Sequence, residues 1–104
     1  MKNIGYSIVD HDGRLLSRLD IKQTDAGHEL DVAFERDFRQ VLSVKKLTSA
    51  RDTHHMLNQI FPGRPFIVVQ ISQRRGRYVV DVPSEDRPAW IAKAIESLGG
   101  VFIA

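Results

Sequence analysis

A chain of 104 residues is long enough for one domain with its own core, and 42 % apolar with 27 % charged residues is an ordinary globular balance. It contains no cysteine, which excludes disulfides, thiolate metal sites, iron–sulfur clusters and thiol catalysis. The net charge of +2 hides a division: residues 1–37 hold five Lys/Arg against eight Asp/Glu, residues 38–80 eight against one, and residues 81–104 two against four. A middle segment that basic points to an anionic partner.

Met1-Lys2-Asn3-Ile4 lacks the long apolar region of a secretory leader, and no apolar run reaches the length of a membrane span. A cytoplasmic location is therefore expected. The first elements are strands. Asp10-His11-Asp12-Gly13, Thr24-Asp25-Ala26-Gly27 and Gln73-Arg74-Arg75-Gly76 each place glycine fourth in a four-residue loop, where a left-handed residue closes the turn. Read as hairpins, these loops set Val9 opposite Arg14 and Ile8 opposite Leu15, Ile21 opposite Leu30 and Leu19 opposite Val32, and Ile71 opposite Tyr78 and Val69 opposite Val80. Turn position and side-chain alternation agree each time. Residues 1–40 thus read as a three-stranded antiparallel meander over 3–9, 14–22 and 28–35. Leu30, Phe34, Phe38 and Val41 also suit helical spacing, so residues 28–40 carry a competing helical reading; the hairpin register favours the strand.

From residue 41 the order predicts β-α-β-β-α-β. Val41–Lys46 alternates weakly as a strand. Ser49 is a candidate N-cap for a helix running to about Phe61 that buries Met56, Leu57, Ile60 and Phe61 and stops at Pro62-Gly63. Strands follow over 66–72 and 77–83. Ser84 or Asp86 caps a second helix, with Pro88 in its first turns and an apolar stripe of Trp90, Ile91, Ala94, Ile95 and Leu98. Gly99-Gly100 ends it before a short strand over 101–104. The expected fold is α+β in a single domain: the meander of residues 1–40 followed by a ferredoxin-like βαββαβ sandwich over 41–104, both helices on one face of the sheet. Phe66, Val68 and Val79 point away from that face, so the meander or a second copy could cover them, and a homodimer is plausible.

In that topology the first two core strands run the same way. Lys45 and Lys46 at the end of one, Arg74, Arg75 and Arg77 at the turn after the other, and Arg51 at the start of the first helix are then expected at one pole, as a single anion-binding rim. The strand Arg75-Gly76-Arg77-Tyr78-Val79-Val80 shares Arg, Gly and Val with the RNA-recognition strand pattern but lacks its stacking aromatics, so phosphate contact is the expected mode rather than base stacking.

No other motif carries chemistry. His54 and His55 lie about 100° apart on a helix, and Asp52 with His55 makes at most two ligands. Asp10-His11-Asp12 is a turn rather than a calcium loop. No nucleophile elbow, zinc-protease, P-loop or dinucleotide pattern occurs. No catalytic residue, metal or cofactor is expected. The chain reads as a small non-enzymatic binding protein whose basic rim meets nucleic acid or an acidic protein surface. The alternative is a protein–protein adaptor or inhibitor acting through a sheet edge or apolar sheet face, without nucleic-acid contact.

Overall fold

The computed structural model describes residues 2–84 and 87–103. Six strands form one sheet: β1 (Lys2–Asp10), β2 (Leu15–Thr24), β3 (Gly27–Glu35), β4 (Phe66–Arg74), β5 (Arg77–Asp81) and β6 (Val101–Phe102). A single 3-10 turn at Phe38–Gln40 and helix α1 (Leu47–Ile60) lie between β3 and β4, and helix α2 (Ile91–Ser97) lies between β5 and β6. The strand order is β3-β2-β1-β4-β5-β6, antiparallel throughout except for the parallel pair β5–β6.

This is a mixed α+β fold, but its strand order is not the ferredoxin-like one. In that arrangement residues 41–46 would supply a core strand. Here β1 pairs with β4 along its whole length, from Lys2 opposite Gln73 to Asp10 opposite Phe66, and takes the inner edge of β4. Residues 41–46 form no strand; Val44 alone makes a bridge, to Tyr6. The bridge has two bonds, Tyr6 N–H to the Val44 carbonyl at 2.8 Å and Val44 N–H to the Tyr6 carbonyl at 2.9 Å. Two residues earlier, the Leu42 N–H donates to the Leu16 carbonyl and the Ser7 hydroxyl to the Leu42 carbonyl, both at 2.8 Å. The segment is wedged between β1 and β2, which share only the ladder pair Val9–Leu15. The three N-terminal strands are therefore not a continuous meander. Gly5 admits the wedge: at φ 140° it lies so close that a Cβ would come within 2.7 Å of the Val44 carbonyl oxygen.

The helices lie on opposite faces of the sheet, not on one. Ile91 and Ile95 of α2 join Val9, Leu15, Phe38, Ile67, Val69, Ile71 and Val80 in one core cluster. Ala50 and Leu57 of α1 join Ile8, Leu16, Phe66 and Val68 in the other. The period-two alternation of β4 sends odd residues to the α2 face and even residues to the α1 face. Phe66 and Val68 are covered by the chain's own helix and need no second copy. The cause is topological. Segment 42–44 runs antiparallel to β1, and so parallel to β4, while β5 runs against β4. Both connections step the same way across the sheet, so crossovers of one hand fall on opposite faces.

Element ends also differ from the expected caps. Helix α1 starts at Leu47, with Lys46 in the cap position, and Ser49 lies inside it, its carbonyl accepting from the Thr53 hydroxyl at 3.0 Å. Of its expected core residues Leu57 is fully buried, while Met56, Ile60 and Phe61 are half-buried. Helix α2 starts only after Pro88, and the expected cap at Asp86 lies outside the described residues, as does Ala104 of the expected last strand. Among the described residues no helix is long and apolar enough to cross a membrane.

The β1–β2 turn is organised by Asp10, a fully buried carboxylate. Oδ1 accepts from the backbone N–H groups of Asp12 and Arg14; Oδ2 accepts from Arg14 Nε at 3.0 Å and meets the Arg64 guanidinium at 3.4 Å. Arg64 in turn lies 5.4–5.8 Å from the ring centres of Phe61, Phe66 and Phe34, where a cation is favoured by the ring faces. One carboxylate thus ties the first turn to the segment between α1 and β4. Asp10→Asn is expected to destabilise the protein by about 1–3 kcal/mol in urea unfolding, less than the ~3–5 kcal/mol of a wholly buried pair because both arginines reach water. Gly5→Ala is expected to cost about 2–4 kcal/mol, since it adds a strained φ to a clash with backbone. Unchanged urea midpoints would contradict these roles.

Candidate anion-binding surface

Five arginines have carboxylate partners within the fold. Arg14 and Arg64 meet Asp10, Arg18 meets Asp31, Arg39 meets Asp37 and Arg87 meets Asp81. The Arg39 side-chain hydrogen bond holds the Asp37 carboxyl below its usual range, and Asp37 raises the guanidinium correspondingly. Of the eight cations in residues 38–80, Arg39 and Arg64 are therefore neutralised locally. Among the described residues none of the other six, Lys45, Lys46, Arg51, Arg74, Arg75 and Arg77, pairs with a carboxylate.

The structure does not gather these six at one place. Arg74, Arg75 and Arg77 border a single hollow of about 480 Å³ whose floor is Val79, Val101 and Ile103. Lys45 and Lys46 are exposed and follow the bridge at Val44. Tyr6, opposite Val44, pairs with Gln70, so the lysines leave the sheet four residues short of Arg74, or roughly 13 Å along the strand. They head toward the arginine turn without lining its hollow. Arg51 lines a separate cleft with His54, Pro65, Phe66, Pro83 and Trp90, near the beginning of β4 and away from its arginine end.

The arginine hollow arises from the β4–β5 turn and from the shortness of β6. Arg74 pairs with Arg77, which leaves a two-residue turn of Arg75 (φ 52°) and Gly76 (φ 78°). Both central residues are left-handed, the requirement of a type I′ hairpin. The ladder is shifted by two residues from the four-residue loop expected from sequence, so Ile71 meets Val80 and Gln73 meets Tyr78. A shift of two preserves faces, and Arg74, Arg77 and Val79 share the α1 face. Helix α1 packs chiefly over β1 and β4. Val101, paired with Val79, and Ile103 stay 42 % and 44 % exposed there.

Arg75 is the one non-glycine residue with positive φ among the described residues. Left-handed backbone costs a residue with a Cβ about 1–2 kcal/mol, and asparagine or glycine is the usual occupant of this turn position. An exposed arginine placed at such a cost is consistent with a role for its charge.

Both histidines of α1 are engaged within the fold. His54 Nε2 is 2.9 Å from the Phe66 carbonyl, and His55 Nε2 is 3.3 Å from the Gln59 amide. Among the described residues no three His, Asp or Glu come together as a metal site. The aliphatic floor of the hollow is the part that sequence reasoning missed; its signal was Val79 on the uncovered face, which gains meaning only once β6 is placed beside β5. No family model, curated protein or solved structure matches the chain. Arg75→Gly is expected to stabilise the protein by about 0.5–1 kcal/mol, because glycine adopts the turn without steric cost. A lower urea midpoint for this variant would contradict the strained-turn account.

Proposed function

We propose that this is a non-enzymatic binding protein that engages an anionic partner through Arg74, Arg75 and Arg77. The observation that carries the reading is that three arginines without carboxylate partners among the described residues border a hollow with an aliphatic floor. Guanidinium forks suit carboxylate and phosphate alike. The residues lining the hollow include no aromatic ring as a platform for unpaired bases. Valine and isoleucine favour an acidic polypeptide with apolar side chains over a nucleic acid, which has few apolar groups to bury on an aliphatic floor. Lys45 and Lys46 extend the positive field on the same side of the molecule.

A second reading, the adaptor acting through a sheet edge, draws on one observation. β3 is a nine-residue edge strand, with Leu30 exposed on it and Ile21 exposed opposite. Its outer backbone groups are available for strand addition.

Titration of fluorescent polyglutamate and of a fluorescent single-stranded oligonucleotide, followed by anisotropy at several salt concentrations, tests the first reading. Polyglutamate is expected to bind more weakly as salt rises. The Arg74→Ala/Arg75→Gly/Arg77→Ala variant is expected to lose at least about tenfold in affinity. If the oligonucleotide binds instead, three phosphate contacts give a slope of log affinity against log salt of about −2. Undiminished affinity in the variant, or no binding of either polyanion, would overturn the reading.

A further inference from the structure

The hairpin of β2 and β3 leaves the body of the protein. Beyond the bulge between Leu16 and Arg18 it pairs only with itself, and most of residues 18–31 are exposed. The molecule measures 48 × 26 × 23 Å, elongated for its size. The hairpin has two unlike faces. Leu19 opposite Val32 packs on the α1-face core, and the next pair outward, Ile21 opposite Leu30, continues that stripe into solvent at 50 % and 36 % exposure. The other face and the tip carry charge. Residues 18–31 hold Arg18 and Lys22 against Asp20, Asp25, Glu29 and Asp31, and Arg18 is already paired with Asp31.

An isolated two-stranded ribbon with an exposed apolar pair is a poor end state in water. It complements the arginine hollow: its apolar pair suits Val79, Val101 and Ile103, and the Asp25 carboxylate at its tip, within a net acidic arm, suits Arg74, Arg75 and Arg77. We propose that the β2–β3 arm of a second copy of this chain occupies the arginine hollow. This inference rests on the reading of the hollow as an anionic-partner site and names that partner.

The placement of the two features supports a closed pair. The strand register puts the arm tip, Thr24–Gly27, and the Arg75-Gly76 turn at the same pole of the sheet, because β2 and β4 run the same way. They stand toward opposite edges, and Ile21, Leu30, Val79 and Val101 all belong to the α1 face. A two-fold axis along the strands exchanges the two features, so the proposed contact, made twice, would close a dimer. The rival arrangement, β3 against β3, would set Glu29, Asp31 and Glu35 of one edge against the same acids of the other, and like charges across a ladder are unfavourable.

The test is the molar mass of the full chain by light scattering after size exclusion, across protein and salt concentration. The wild type is expected to be a dimer that dissociates as salt rises from about 50 to about 500 mM. Arg74→Glu/Arg77→Glu and Asp25→Lys/Glu29→Lys are each expected to raise the dimer dissociation constant at least about tenfold, and an equimolar mixture of the two to restore the dimer. Ile21→Ser/Leu30→Ser is expected to weaken the dimer while leaving polyglutamate binding by the monomer intact, which also shows that the variant is folded. A wild type that stays monomeric at about 100 μM, or a dimer untouched by both charge reversals, would overturn the proposal. Polyglutamate binding by such a monomer would leave the anionic-partner reading standing; loss of that binding as well would overturn both.

Discussion

The architecture turns on one close approach. Segment 42–44 lies against Gly5 and Tyr6 and makes the hydrogen bonds to β1 and β2 that those two strands would otherwise make with each other. A side chain at position 5 would meet the Val44 carbonyl, so the contact depends on that glycine. Three consequences follow. Strands β1 and β2 part after Val9 and Leu15, which sends the β2–β3 hairpin outward. Strand β1 keeps its other edge for β4, which pushes β5 and β6 outward on the far side. Helix α1, leaving from Lys46, crosses the face that the wedge opens onto. The arm and the arginine hollow, which stand toward opposite edges of the same face, are both products of that contact.

Two clusters of apolar side chains, one on each face, hold the sheet between helices of unequal reach. On the α2 face, Phe38 stacks on Tyr78 with ring centres 4.5 Å apart, and Gly100 presses so close to Phe38 that a Cβ would come within 2.8 Å of its ring. That packing fixes the start of β6 beside β5. On the α1 face, the helix packs chiefly over β1 and β4, and Val101 and Ile103 stay exposed beside a half-buried Val79. Burying such side chains is favourable at roughly 25 cal/mol per Å² of apolar surface, which is why the proposed partner is one that brings apolar side chains as well as negative charge.

Local features were legible in the sequence and global ones were not. The second hairpin follows the expected register from Gln23–His28 to Leu19–Val32, because Gly27 closes its turn without help from elsewhere. The first hairpin is displaced by one residue, pairing Val9 with Leu15, because the Asp10 carboxylate gathers the turn's N–H groups. The third is displaced by two because Arg75 accepts a left-handed conformation that local preference assigns to glycine. Strand order depended on a competition between residues distant in sequence. Residues 41–46 and 2–10 both suit the inner edge of β4, and the longer segment occupies it. Of the six cations expected in one rim, the three within a single turn are together; Arg51 lines another cleft, since its placement required the helix layer to be known.

If the wedge organises the molecule, its bonds should be among the most persistent in solution. Nuclear Overhauser contacts and amide hydrogen exchange on the uniformly labelled protein test this directly. The wedge predicts cross-strand contacts between Tyr6 and Val44, slow exchange of the Tyr6, Leu42 and Val44 amides, and faster exchange at the outer pairs of the β2–β3 hairpin. Contacts from Tyr6 straight to β2, with rapid exchange at Leu42 and Val44, would contradict it.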